Sequence, residues 1–131
     1  MNEVKLSYIA GFFDGEGWVS ISKNGALDVR VINTSRPVLE MMVQVLGVGK
    51  VHDRKQRVNK RQHLYSVYGQ NAALVLRALS PYLIEKKPQA DTALDYFDNH
   101  RGGTRTPGVK GLFKTPMRDV FRAKLTEQKH A

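Results

Sequence analysis

The stretch Ile9-Ala10-Gly11-Phe12-Phe13-Asp14-Gly15-Glu16-Gly17 limits what this chain can become more than any other. Leu6, Ile9, Ala10 and Phe13 fall at i, i+3, i+4 and i+7, the spacing that gives a short helix one apolar face. Ser7, Gly11 and Gly15 recur at every fourth residue and lay a second stripe along that helix, with almost no side-chain bulk. The apolar face packs on its own domain, and the bare face admits a second backbone at close range. The segment is too short and too interrupted to span a bilayer, so that close neighbour is expected to be protein. Asp14 and Glu16 stand where the helix must end, at the negative pole of its dipole, where anions are disfavoured. A cation is the natural compensation if they stay ionised, and carboxylate oxygens are hard ligands that suit Mg²⁺.

The next residues leave no room for a loop. Trp18 to Lys23 alternate as a half-buried strand with Val19 and Ile21 inward, and Asn24-Gly25 is a strong hairpin signal. The return strand runs from Ala26 to about Asn33, with Leu27, Val29 and Val31 inward. Its outer face then offers Ser20, Ser22, Asp28 and Arg30, a donor-rich surface. Ser35 reads as an N-cap and Pro37 as a first-turn residue of a helix through Leu46, ended by Gly47-Val48-Gly49. A second hairpin pairs Lys50–Asp53 with His63–Tyr68, and Lys50, His52, His63 and Tyr65 are expected to face outward. Its connection, residues 54–61, carries Arg54, Lys55, Arg57, Lys60 and Arg61 without an acid. A helix opened by Gln70-Asn71 reaches about Leu83, and Pro88 starts another through Phe97. The order helix–strand–strand–helix–strand–strand–helix–helix describes an α+β fold: a curved four-stranded antiparallel sheet backed by helices. Residues 1–100 read as the core. Residues 101–131 read as a basic tail with a short helix near Met117 to Lys124.

With 131 residues and a formal charge of +9, the chain is of single-domain size and calls for a polyanionic partner. Nucleic acid leads, because the cations cluster in particular segments and no basic amphipathic helix suggests a membrane surface. There is no cysteine, which excludes disulfides and thiolate metal sites. No signal-peptide pattern or membrane-length apolar run is visible, so a soluble intracellular protein is expected. The histidines are too scattered for a zinc motif. No phosphate-binding loop or nucleophile turn is present, so no small-molecule cofactor is expected.

Ile9 to Gly17 resembles the signature of the LAGLIDADG homing endonucleases, with Ile for the first Leu and Glu for the last Asp, and it occurs once, as in the homodimeric members. The element order over about residues 2–98 is similar to that family's αββαββα core. The resemblance implies a homodimer joined through Ser7, Gly11 and Gly15, acting on a long, near-palindromic double-stranded DNA site and leaving a staggered break, in a mobile intron or intein setting. It implies Mg²⁺ as cofactor, with Mn²⁺ or Ca²⁺ able to substitute in binding, held by Glu16 with the Gly15 carbonyl as a further ligand. Asp14 would hold the turn. Lys86 falls at the family's active-site lysine, with Lys87 one register away, and Asn33 at a polar residue that orients the attacking water. Arg36 would back Asn33. The DNA surface would comprise Ser20, Ser22, Lys23, Asp28, Arg30, Arg36, Lys50, His52, Arg54, Lys55, Arg57, Lys60, Arg61, His63 and Tyr65. Some proteins with this fold bind without cutting, as intron maturases or transcription regulators.

Overall fold

A computed structural model describes residues 2–54, 61–100 and 116–130. Helix α1 spans Glu3–Glu16, and the Asn2 side chain caps it by accepting from the Lys5 amide at 3.1 Å. It buries Leu6, Ile9, Ala10 and Phe13, the face that the i, i+3, i+4, i+7 spacing marks out. The chain passes from Glu16 directly into strand β1 (Gly17–Ile21). Glycine is required at 17, because a Cβ there would fall inside the Phe13 ring.

Strand β2 (Leu27–Asn33) returns from β1 through a tight turn in which the Gly25 amide donates to the Ser22 carbonyl at 2.9 Å. Gly25 takes a positive φ of 87°, so the loop is one residue longer than a two-residue Asn-Gly turn and closes on a left-handed glycine. Helix α2 (Arg36–Leu46) follows Ser35 and ends on the left-handed Gly47. Strands β3 (Lys50–Arg54) and β4 (Gln62–Tyr68) form the second hairpin, and the antiparallel sheet has the order β1-β2-β4-β3. Lys55, Arg57 and Lys60, expected to touch DNA, lie outside the described residues.

Helix α3 (Gly69–Leu79) runs into a 3₁₀ turn at Ser80–Tyr82, then helix α4 (Lys87–Asp95) and a π-helical turn at Tyr96–His100. The core lies between the helices and one sheet face: Val19, Ile21, Leu27, Val29, Val31, Tyr65 and Val67 meet Phe13, Leu39, Leu76 and Leu79. Tyr96, fully buried, donates its hydroxyl to the Gly25 carbonyl at 2.8 Å and ties this turn to the first hairpin. The C-terminal helix α5 (Pro116–Lys129) extends beyond the short helix expected near 117–124, and buries Phe121 and Leu125 in the core. Among the described residues, no helix is long and apolar enough to cross a membrane.

Candidate active site and nucleic-acid interface

The end of α1 sets two acids beside each other and treats them differently. The Asp14 carboxylate accepts backbone N–H groups from Ile84 at 2.9 Å and Lys86 at 3.0 Å, while the Lys86 ammonium donates to the Asp14 carbonyl at 2.6 Å. Asp14 thus ties the α3–α4 connection to α1, with its charge placed on amide dipoles. Glu16 is exposed and has no hydrogen-bond or ion-pair partner among the described residues. Lys86 sits over this helix end, whereas Lys87 turns away toward Ser80 Oγ at 3.4 Å and Asp91 at 3.6 Å. The geometry separates the two lysines that the sequence leaves in competition. Asn33 ends β2, two residues beyond the Val31–Gly17 pair, so it stands at the same end of the sheet as Glu16. Its Oδ1 accepts from the Ser35 amide at 2.8 Å, which leaves the side-chain amide nitrogen as its remaining donor, and by register the residue belongs to the inner row with Val31 and His63.

The strand register fixes which side chains share the outer face. One row crosses Ser20, Asp28 and Tyr68, the next Trp18, Arg30, Ser66 and Lys50, the third Ile32, Leu64 and His52, and the last Gln62 and Arg54. Ser20, Asp28, Arg30, Lys50, His52 and Arg54 stand on the face expected of them, although Asp28 is buried there. The Arg30 guanidinium forks onto Asp28, with Nε 3.0 Å from Oδ1 and Nη2 2.9 Å from Oδ2, and reaches the Tyr68 hydroxyl at 3.4 Å. The Asp28 contact raises its pKa further. Ser22 serves the hairpin turn, where its Oγ accepts from the Ala26 amide at 3.2 Å. Lys23 and Arg61 are exposed.

Two residues are not where the sequence reading puts them. Tyr65 is fully buried on the inner face, its ring against Gly49 and its hydroxyl donated to the Val48 carbonyl at 2.9 Å. Burial pushes its phenol pKa well up. A side chain so enclosed cannot touch DNA. His63 shares that inner face, with Nδ1 2.9 Å from Asp53 Oδ1, and Arg36 Nη1 meets the same oxygen at 2.5 Å. Arg36 also holds Glu40 at 2.8 Å, so Arg36 and His63 both belong to an acid-bridged cluster joining α2 to the second hairpin. The His63 hydrogen bond, backed by the charge of Arg36, lowers the Asp53 pKa.

The sequence matches the LAGLIDADG-like domain family over residues 3–79, more than half of the chain. The chain is a member of the LAGLIDADG family. No curated protein sequence matches it. Among solved structures it is similar to the archaeal intron-encoded homing endonuclease I-Vdi141I, complexed with DNA, at 21% identity and TM-score 0.74, covering 96% of this chain and 84% of that one. The homing endonuclease I-CvuI, bound to an uncleaved I-CreI target in the presence of Mg, has TM-score 0.65 at 21% identity, covering 98% and 97% of the two chains. The homing endonuclease I-TnaI has TM-score 0.56 at 16% identity, covering 94% and 97%.

In this LAGLIDADG chain the family signature is α1 and its junction with β1. Ser7, Gly11 and Gly15 are exposed, and a Cβ added to either glycine meets nothing within 4 Å. Val4 and Tyr8, 79% and 57% exposed, flank the stripe on the same helix face. Each stands three residues before a member of the bare stripe, Val4 before Ser7 and Tyr8 before Gly11, and that i, i+3 spacing is the signal that could have found them. Trp18 stands on the outer face, as its alternation with Val19 implies, and Ser66 and Tyr68 are further outer-face positions that sequence reasoning missed.

Proposed function

We propose that this LAGLIDADG protein is a sequence-specific homing endonuclease. As a homodimer it hydrolyses both strands of a long, near-palindromic DNA site with a divalent cation, leaving staggered ends. The observation that carries this reading is Glu16: exposed, without a partner among the described residues, and at the end of a bare helix face. Two copies meeting through Ser7, Gly11 and Gly15 bring two Glu16 carboxylates to a common axis. The DNA held by the I-Vdi141I and I-CvuI structures supports duplex DNA as the partner.

The donor set fits Mg²⁺. Glu16 and the Gly15 carbonyl are hard oxygen ligands, and among the described residues no group of three or more His, Cys, Asp or Glu forms a closed cage. Mg²⁺ favours such open sites, where it keeps waters and takes substrate phosphate oxygens, and Mn²⁺ or Ca²⁺ use the same donors in binding. Bound there, the ion supplies charge stabilisation to the attacking and leaving oxygens. Glu16 holds that charge against the strand. Lys86, fixed by the Asp14 carbonyl, presents a cation to the charge that develops on the phosphate. Asn33 offers its amide nitrogen to the attacking water. The outer sheet face, from Ser20 and Arg30 to His52 and Arg54, follows the major groove, where arginine reads guanine.

Selection for cleavage from a randomised duplex library tests this, with Mg²⁺ and with Ca²⁺, using wild type and Glu16→Gln. Recovery of one long near-palindrome cut only by wild type in Mg²⁺ is expected. Equal binding enrichment by both proteins without cutting would replace the nuclease with a maturase or regulator that reads DNA.

A further inference from the structure

Helix α5 lies outside the matched family segment and takes no part in the chemistry proposed for Glu16, Lys86 and Asn33. Its docking is specific. The Phe121 ring lies 5.5 Å from Tyr96 and 5.1 Å from His100, Arg118 donates to the Lys23 carbonyl at 2.6 Å, and Gln128 donates to Thr92 Oγ1 at 2.9 Å. Contacts in its first and last turns set the rotation of the helix. That rotation places the Lys129 ammonium 4.6 Å from the centre of the Trp18 ring, a cation–π contact on the outer sheet face.

Lys129 borders a cavity of 460 Å³ together with Gly17, Trp18, Glu85, Lys86 and Gln89. That volume lies within the range of about 300–1,000 Å³ usual for ligand sites. Gly17 follows Glu16 directly, so the cavity opens beside the candidate active site. Trp18 and Lys129 also line a second cavity, of 380 Å³, with Arg122, Ser20, Asp28 and Arg30. The nearby acids do not neutralise the first cavity: Asp28 is taken by the Arg30 fork, and Glu85 is one carboxylate against two ammonium groups. Burial and the like charge of Lys86 both lower the Lys129 pKa, against the opposing pull of Asp28. Packing therefore holds two repelling cations on one cavity wall, an arrangement that an anion between them relieves.

We propose that this cavity binds a backbone phosphate of the DNA strand passing the α1–β1 junction, and that Lys129 is a phosphate-binding residue delivered by the C-terminal helix and aimed by Trp18. The inference rests on the nuclease reading. Its test uses the full chain and a mixed-sequence duplex in Ca²⁺, with affinity measured across a salt series. Lys129→Met is expected to flatten the slope of log K against log salt by about 0.9 for each phosphate that the lysine neutralises, and Lys129→Arg to restore it. A Lys129→Met protein with a wild-type slope and a lower unfolding midpoint would overturn the inference, leaving Lys129 as a peg that pins α5 to Trp18. Wild-type protein that binds no duplex at all would defeat the nuclease reading, and the inference with it.

Discussion

Glu16→Gln is expected to stabilise the fold while ending cleavage. Glu16 is the last residue of α1, at the negative end of the helix dipole, exposed and without a partner among the described residues. An anion in that position costs about 0.3–1 kcal/mol, and exposure to water puts this one near the lower limit. Glutamine keeps the length and a similar helix propensity, so removal of charge is the main change. A gain of about 0.3–0.5 kcal/mol corresponds to a rise of roughly 1–3 °C in Tm for a domain of this size. Urea unfolding of both proteins at low salt measures it, and repetition at high salt should shrink the difference, since screening weakens the dipole's hold on an exposed charge. An equal or lower stability for Glu16→Gln at low salt would refute the reasoning, because the wild-type carboxylate would then already be compensated. A stabilised, inactive variant is the pattern expected where function keeps a charge that the fold does not favour.

Asp14→Ala strands the Ile84 and Lys86 amides and should cost about 2 kcal/mol in urea unfolding; a neutral result would mean that the tether holds nothing in place. Gly11→Leu meets open space and should leave the monomer at least as stable, while sedimentation at micromolar concentration is expected to show loss of the proposed dimer; a variant that stays dimeric would exclude the bare stripe as the interface. Tyr65→Phe should cost about 1 kcal/mol of stability and leave DNA affinity unchanged; weaker binding at full stability would return Tyr65 to the interface. Asp53 has a folded pKa below its unfolded value of about 3.9, so its contribution is present above that pH and lost as pH falls through the folded value. Asp53→Asn should therefore flatten the acid limb of the stability profile below about pH 4, and superimposable profiles would refute the linkage.

The first half of the chain is legible because its patterns agree. In β1 and β2 every odd position from Val19 to Val31 that faces the core is apolar, and Asn24-Gly25 marks the place of the turn between them, though not its length. In β4 the same alternation is disguised. Leu64 points outward beside His52 and Ile32, while His63 and Tyr65 point inward, so polarity alone inverts the strand. Val67 is the corrective signal: it shares the parity of Tyr65 and is buried, and a period of two then carries Tyr65 inward as well. The buried phenol is tolerated because its hydroxyl finds the Val48 carbonyl and its ring finds the space left by Gly49, contacts brought together only by folding. The extent of α5 is a similar case. Phe121 and Leu125 carry a helical spacing, but nothing local shows that Tyr96 and His100 await Phe121.

Legibility also fails where two acids of one motif divide the work. By residue type and spacing Asp14 and Glu16 look equivalent; the family resemblance alone divides them, and what Asp14 holds appears only where the chain returns at residues 84–86. Asp14 spends its oxygens on the Ile84 and Lys86 amides. On the other side of Glu16, Gly17 lies against the Phe13 ring and pairs with Val31. The backbone at Glu16 is thereby held from both directions while its side chain stays unengaged, which is what the proposed role as a metal ligand requires of it. The Asp14 tether also fixes Lys86, because the same residue supplies acceptors to the lysine's amide and ammonium. Loss of Asp14 should then damage the site twice, through the height of α1 and through the aim of Lys86, even though Asp14 itself is assigned no contact with metal or DNA.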